Sequence, residues 1–157
     1  MVPLLSLWMP IILASIIVFV ASSVIHMFLN YHKHDWSKVP DEDGVMEALR
    51  GFSIPAGDYT IPHAGSTEAL RSEEFQAKAK EGPVAFMTVL PPGDPFAMGK
   101  QLTHWFLYCI VVSIFAAYIT GRAVGPGTDY MTVFQFSSTT AFLGYALAHW
   151  QRSIWYS

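Results

Sequence analysis

Charge is what this sequence has least of. Asp, Glu, Lys and Arg make up 13% of it, where a soluble domain carries about 25%. From Leu4 to Leu29, from Leu102 to Thr120 and from Met131 to Trp150 there is none at all. Each stretch is long enough to cross the roughly 30 Å hydrocarbon core as a helix, which takes about 20 residues. Cysteine is nearly absent as well. Cys109 stands alone, which excludes a disulfide framework and a cysteine zinc site. No basic stripe exists, and the net charge is −3, so nucleic acid is not an expected partner. No Lys or Arg precedes the first apolar run. It lacks the charged start of a signal peptide and is expected to stay as a helix.

What is there has a simple layout. The expected fold is an all-α membrane protein with three transmembrane helices and a small mixed α/β extramembrane segment between the first two. Residues 1–30 form the first helix with a short tail. Residues 31–100 form the extramembrane segment, and residues 101–157 form a helical hairpin with a C-terminal tail. Gly121, Gly125, Pro126 and Gly127 break the second helix and let the chain return antiparallel. Short cytoplasmic loops favour Lys and Arg. Lys33, Lys38, Lys100 and Arg152 fall on one side of the three passes, and Arg122 on the other. That bias places the N-terminus outside and the central segment in the cytoplasm.

Within the central segment, Pro40 and the acids Asp41, Glu42 and Asp43 mark a helix start. Val45, Met46 and Leu49 supply its apolar stripe, and Gly51 and Pro55 end it. Asp58 to Pro62 is expected to be extended, Ser72 to Lys80 helical, and Val84 to Leu90 a strand. Glu74 and Lys78 have the supporting i,i+4 spacing. No glycine-rich phosphate loop, nucleophile elbow or zincin helix occurs. The three neighbouring acids diverge on a helix, which suits a solvated start better than a metal site.

Six histidines carry the sharpest chemical signal. Antiparallel passes bring His26, His104 and His149 to one membrane interface, with His32 and His34 just beyond the first helix. Histidine is the commonest metal ligand, and ionisable groups in membrane helices are functional candidates. The first three are the candidate ligands for a cofactor, whose identity the sequence leaves open and which need not exist. His32 and His34 are the candidate metal ligands. The competing reading is an aromatic belt, since Tyr31, Trp36, Trp105, Trp150 and Trp155 share that level. The third stretch also carries Ser137, Ser138, Thr139 and Thr140, followed by the small pair Gly144 and Ala148. Small polar residues allow close helix approach and interhelical hydrogen bonds. Ser137, Thr140, Gly144 and Ala148 are therefore the expected helix-contact residues.

Four segments carry a family likeness: Val39 to Met46, Gly82 to Pro91, Gln101 to Val112, and Gln151 to Tyr156. In these the chain resembles a family of small bacterial integral membrane proteins. The resemblance implies a multi-pass protein of the bacterial inner membrane and brings no catalytic motif with it. Members of that family continue past the Trp-Tyr pair into a further hydrophobic segment, whereas this sequence stops at Ser157.

The expected role is a noncatalytic accessory subunit of a larger bacterial membrane complex, of the respiratory or photosynthetic kind. Its partners would be other membrane-protein subunits and the lipid bilayer. The alternative is a small metal-, haem- or pigment-binding membrane protein that uses the interfacial histidines. A lipid-directed enzyme, with histidines and Asp35 as its acid–base groups, ranks last.

Overall fold

A computed structural model describes residues 1–29, 33, 35–93 and 97–156. The chain divides into two compact units, one made of 1–36 with 97–157 and the other of 37–96.

The first unit is helical. A 3-10 turn at Leu4–Leu7 leads into α1 (Trp8–Phe28). Helix α5 spans Gly99–Ala123 and packs against both α1 and α6 (Tyr130–Tyr145). Asp129 caps α6, accepting from the Thr132 N–H at 3.0 Å and the Thr132 hydroxyl at 2.7 Å. The last helix, α7, covers Leu147–Tyr156.

Two helices are long and apolar enough to cross a membrane, Leu4–Phe28 and Gly99–Ala123, each of 25 residues. The expectation of three spans is corrected here. The stretch Met131 to Trp150 is not one helix. It breaks at Ala146, leaving an α6 of 16 residues, which rises about 24 Å. The break has a local setting. Gly144 O, which would accept from Ala148 in a continuous helix, accepts the Tyr108 hydroxyl from α5. The Ala146 N–H still reaches Phe142 O, four residues back, but the His149 N–H reaches Ala146 O, three back. Hydropathy cannot register such an interruption, because both sides of it are apolar.

The second unit holds α2 (Glu42–Gly51), β1 (Gly57–Ile61), α3 (Thr67–Leu70), α4 (Glu73–Glu81) and β2 (Ala85–Val89). The strands pair antiparallel, Gly57 opposite Val89 and Ile61 opposite Ala85. Ala85, Met87 and Val89 are half-buried, while Phe86 and Thr88 are exposed, the alternation of a sheet covered on one face. On the open face the Thr88 hydroxyl donates to Asp58 Oδ1 at 2.6 Å. The Ser66 and Ser72 hydroxyls cap α3 and α4 by accepting from Ala69 and Phe75. Gly82, at φ +71°, ends α4 in a backbone region that disfavours side chains. The two expected strands and the helices over 42–51 and 73–81 are present. Helix α3 is an addition that sequence patterning did not register.

Candidate functional site

The helical unit is built inside out. Its outer surface is a band of exposed Leu, Ile, Val and Phe side chains, among them Leu13, Ile17, Val111 and Phe115. Its fully buried side chains are small: Ser15 and Cys109. Ser113, Thr120 and Thr140 are buried as well. In water the arrangement would be reversed, since apolar burial drives folding there. In hydrocarbon, small residues at the seam let helices approach closely. Two seam hydroxyls are satisfied within their own helices, Ser15 Oγ donating to Ile11 O at 2.7 Å and Thr140 Oγ1 to Phe136 O at 2.8 Å, whereas the buried Thr120 hydroxyl has no hydrogen-bond partner among the described residues. At Gly144 the approach is tightest. An added Cβ would lie 2.9 Å from Val112 Cγ1.

Interhelical polar contacts gather at one level of the bundle. Trp105 Nε1 donates to Ser22 Oγ at 3.0 Å, joining α5 to α1. The Trp105 ring stacks on Tyr108 at 5.6 Å and meets Tyr145 edge-on at 6.0 Å. Phe19 meets Phe106 edge-on at 5.4 Å. The Tyr145 hydroxyl is buried beside the Cys109 thiol and has no oxygen or nitrogen partner among the described residues. Sequence reading assigned Trp105 to a belt but missed Tyr108 and Tyr145 as its partners. Their spacing in the chain gave no signal; only the α5–α6 pairing joins them.

The histidines lie beyond that level. His26 Nδ1 is 2.7 Å from Ser22 O, one turn back on α1. His104 precedes Trp105 on α5, and His149 follows the break into α7. All three are exposed. Among the described residues no group of three or more His, Cys, Asp or Glu side chains is placed to hold a metal ion. His32 and His34 lie outside the described residues.

The four expected contact residues divide. Thr140 is buried, and Gly144 packs on Val112 of α5. Ser137 is half-buried, with its hydroxyl donating to Val133 O at 2.9 Å. Ala148 falls past the break, on α7, and is exposed. The outward face of α6 instead carries Gln135 and Thr139, both exposed, at i and i+4 and so on one side of the helix.

Two concavities are lined by described residues. In the second unit, a hollow of about 650 Å³ is lined by Ile61, Pro62, His63, Leu70, Phe75 and Phe86, among others. On its wall Thr60 Oγ1 lies 3.2 Å from His63 Nδ1. At the far end of α5, Met1, Tyr118 and Arg122 border a hollow of about 340 Å³. The Arg122 guanidinium lies 5.5 Å from the Tyr118 ring centre. The Thr60–His63 pair sets a hydroxyl beside an imidazole in the first hollow, and neither hollow is lined by a carboxylate to orient such a base or to act with a second acid. Two carboxyls elsewhere are held below their ordinary range. The Lys78 ammonium, by hydrogen bond and by charge, lowers Glu74, and the Thr132 hydroxyl and N–H lower Asp129.

No family model, curated protein or solved structure matches this chain.

Proposed function

We propose that this chain is a multi-pass protein of the bacterial inner membrane that serves as a noncatalytic accessory subunit of a larger membrane assembly. The observation that carries the membrane part is the inside-out bundle, with exposed aliphatic side chains around buried Ser15, Ser113 and Thr140. The assembly part rests on α6. Gln135 and Thr139 point away from α5 and are exposed. A helix surface meeting only lipid is poorly served by an amide and a hydroxyl, whereas a neighbouring helix can hydrogen-bond both. In this reading the central segment, with Lys38 and Lys100 at its ends, lies in the cytoplasm and Arg122 lies outside.

Extraction in mild detergent followed by native mass spectrometry tests the proposal. The protein is expected in a species well above its own 17.5 kDa. Replacing Gln135→Leu together with Thr139→Val is expected to release it as a folded monomer. A wild-type chain that is strictly monomeric, or that alkaline carbonate strips from membranes, would overturn the proposal.

A further inference from the structure

Helix α7 has two unlike sides. At 100° per residue, Leu147, Trp150, Ile154 and Trp155 occupy an arc of about 140°, with Gln151 inside it. His149, Arg152 and Ser153 occupy the opposite side. The four apolar side chains are all exposed, with Trp150, Ile154 and Trp155 at about 70%. No acidic residue occurs in α7, and Arg152 is its only charged side chain.

The level at which α7 begins matters as much as its composition. Helix α6 ends at Tyr145, against Trp105 and Tyr108 of α5. Beyond Trp105, toward its own start, α5 turns polar with His104, Thr103, Gln101 and Lys100. On α1 the same level is set by Ser22, through its bond from Trp105, and His26 lies one turn further. Thus α5 changes from apolar to polar where α6 breaks, while α1 carries His26 there within a run that stays apolar through Met27 and Phe28. At the opposite end, the Val2 N–H meets Gly121 O at 2.8 Å. From Trp105 to Gly121 the rise is about 24 Å, close to that of α6.

We infer that α7 is a surface helix of the bilayer, lying along the boundary between headgroups and acyl chains. Leu147, Trp150 and Ile154 enter the acyl layer, and Arg152 meets lipid phosphate. This rests on the membrane reading above. The chemistry fits on each count. Tryptophan favours the headgroup level. An amphipathic helix with a cationic polar side lies in the interface plane with its apolar side buried about 5–10 Å. An acid-free polar side suits anionic lipid.

The test uses the full chain in vesicles of phosphatidylcholine and phosphatidylglycerol. Spin labels are attached at Trp150→Cys, Ile154→Cys, His149→Cys or Arg152→Cys. Cys109 is replaced by Ala, or by Ser where Ala does not fold. Labels at Ile17→Cys and Phe115→Cys report on the two long helices. At 150 and 154, collision with oxygen is expected to exceed collision with a water-soluble nickel chelate severalfold, at one shallow depth. At 149 and 152 the order is expected to reverse. Depth that increases steadily along α7, nickel access on both sides, or exclusion of both reagents from 150 and 154 would overturn the inference. Exclusion of both would mean that protein covers this side. If the 17 and 115 labels meet oxygen while α7 fails, the surface helix alone is wrong. If those two also meet nickel rather than oxygen, the membrane reading falls with it.

Discussion

Ile17 on α1 and Val84 beside β2 are exposed to nearly the same degree, 57% and 63%, yet they belong to opposite kinds of surface. Ile17 is one of a continuous band of aliphatic side chains around a seam of serine, threonine and cysteine. Val84 borders the hollow shared with Ile61, Leu70, Phe75 and Phe86, in a unit whose exposed surface also carries Lys78, Glu74, Asp58 and Thr88. The helical unit is held by close approach of small residues and by a few bonds between helices. The central unit is held by caps, a two-stranded ladder and half-buried apolar side chains. Exposure alone therefore says little about a residue; the pattern around it gives it meaning.

The sharpest way to break this comparison is to place one charge in each region. Ile17→Lys, near the middle of α1, is expected to cost about 3 kcal/mol of membrane insertion, read as loss of the chain from the membrane fraction. Val84→Lys is expected to stay within about 0.5 kcal/mol of wild type. Equal effects of the two changes would remove the distinction between the regions.

Packing comes next. Gly144→Leu drives a side chain into Val112, already 2.9 Å from a Cβ at that position. It is expected to destabilise the α5–α6 pair by about 2 kcal/mol, seen as a lower melting temperature in detergent. A smaller loss tests the central unit. Ser72→Ala removes the hydroxyl that accepts from Phe75 at 3.2 Å and is expected to cost about 1 kcal/mol in thermal unfolding. Trp105→Phe keeps the ring but loses the bond to Ser22. Its expected cost is about 0.6 kcal/mol, the usual worth of such a bond between membrane helices, measured as a change in detergent-unfolding midpoint.

The smallest effect is that of pH. Both Glu74 and Asp129 have folded values below the ordinary 4.5 and 3.8. A lowered carboxyl contributes stability above its unfolded value and loses it as pH falls through the folded one. Helicity of α4 is expected to weaken only below pH 4.5, and Lys78→Gln should move that loss upward in a circular-dichroism titration. Unchanged titration in Lys78→Gln would show that the ion pair, 2.6 Å long and exposed, contributes nothing, as many surface pairs do.

Much of the architecture was legible from residue patterning. Charge-free length marks α1 and α5, the run Val84 to Leu90 reads as the strand that became β2, and Glu74 and Lys78 at i,i+4 support the helix over Ser72 to Lys80 that became α4. Helix α3 was not legible, because four residues carry no period. The limit of α6 was hidden for a different reason. Ala146 and Leu147 are as apolar as what precedes them, and the departure from the helix ladder accompanies a hydroxyl from Tyr108, distant in the chain. The candidate contact residues divided on the same ground. Thr140 and Gly144 turn toward α5, while Gln135 and Thr139 turn outward, and small size alone did not say which way each would face.

The amino-acid order by itself determined that α1 and α5 are long and apolar enough to cross a membrane and that a more polar segment of short helices and strands lies between them. Those properties are local, set by side-chain chemistry over one or two turns. Only the tertiary structure decided where α6 stops, which small residues form the seam, and that His26, His104 and His149 flank an aromatic level, with no group of three or more metal-ligating side chains gathered among the described residues. Such features depend on which residues of different helices meet, and that is fixed by packing between surfaces far apart in the chain.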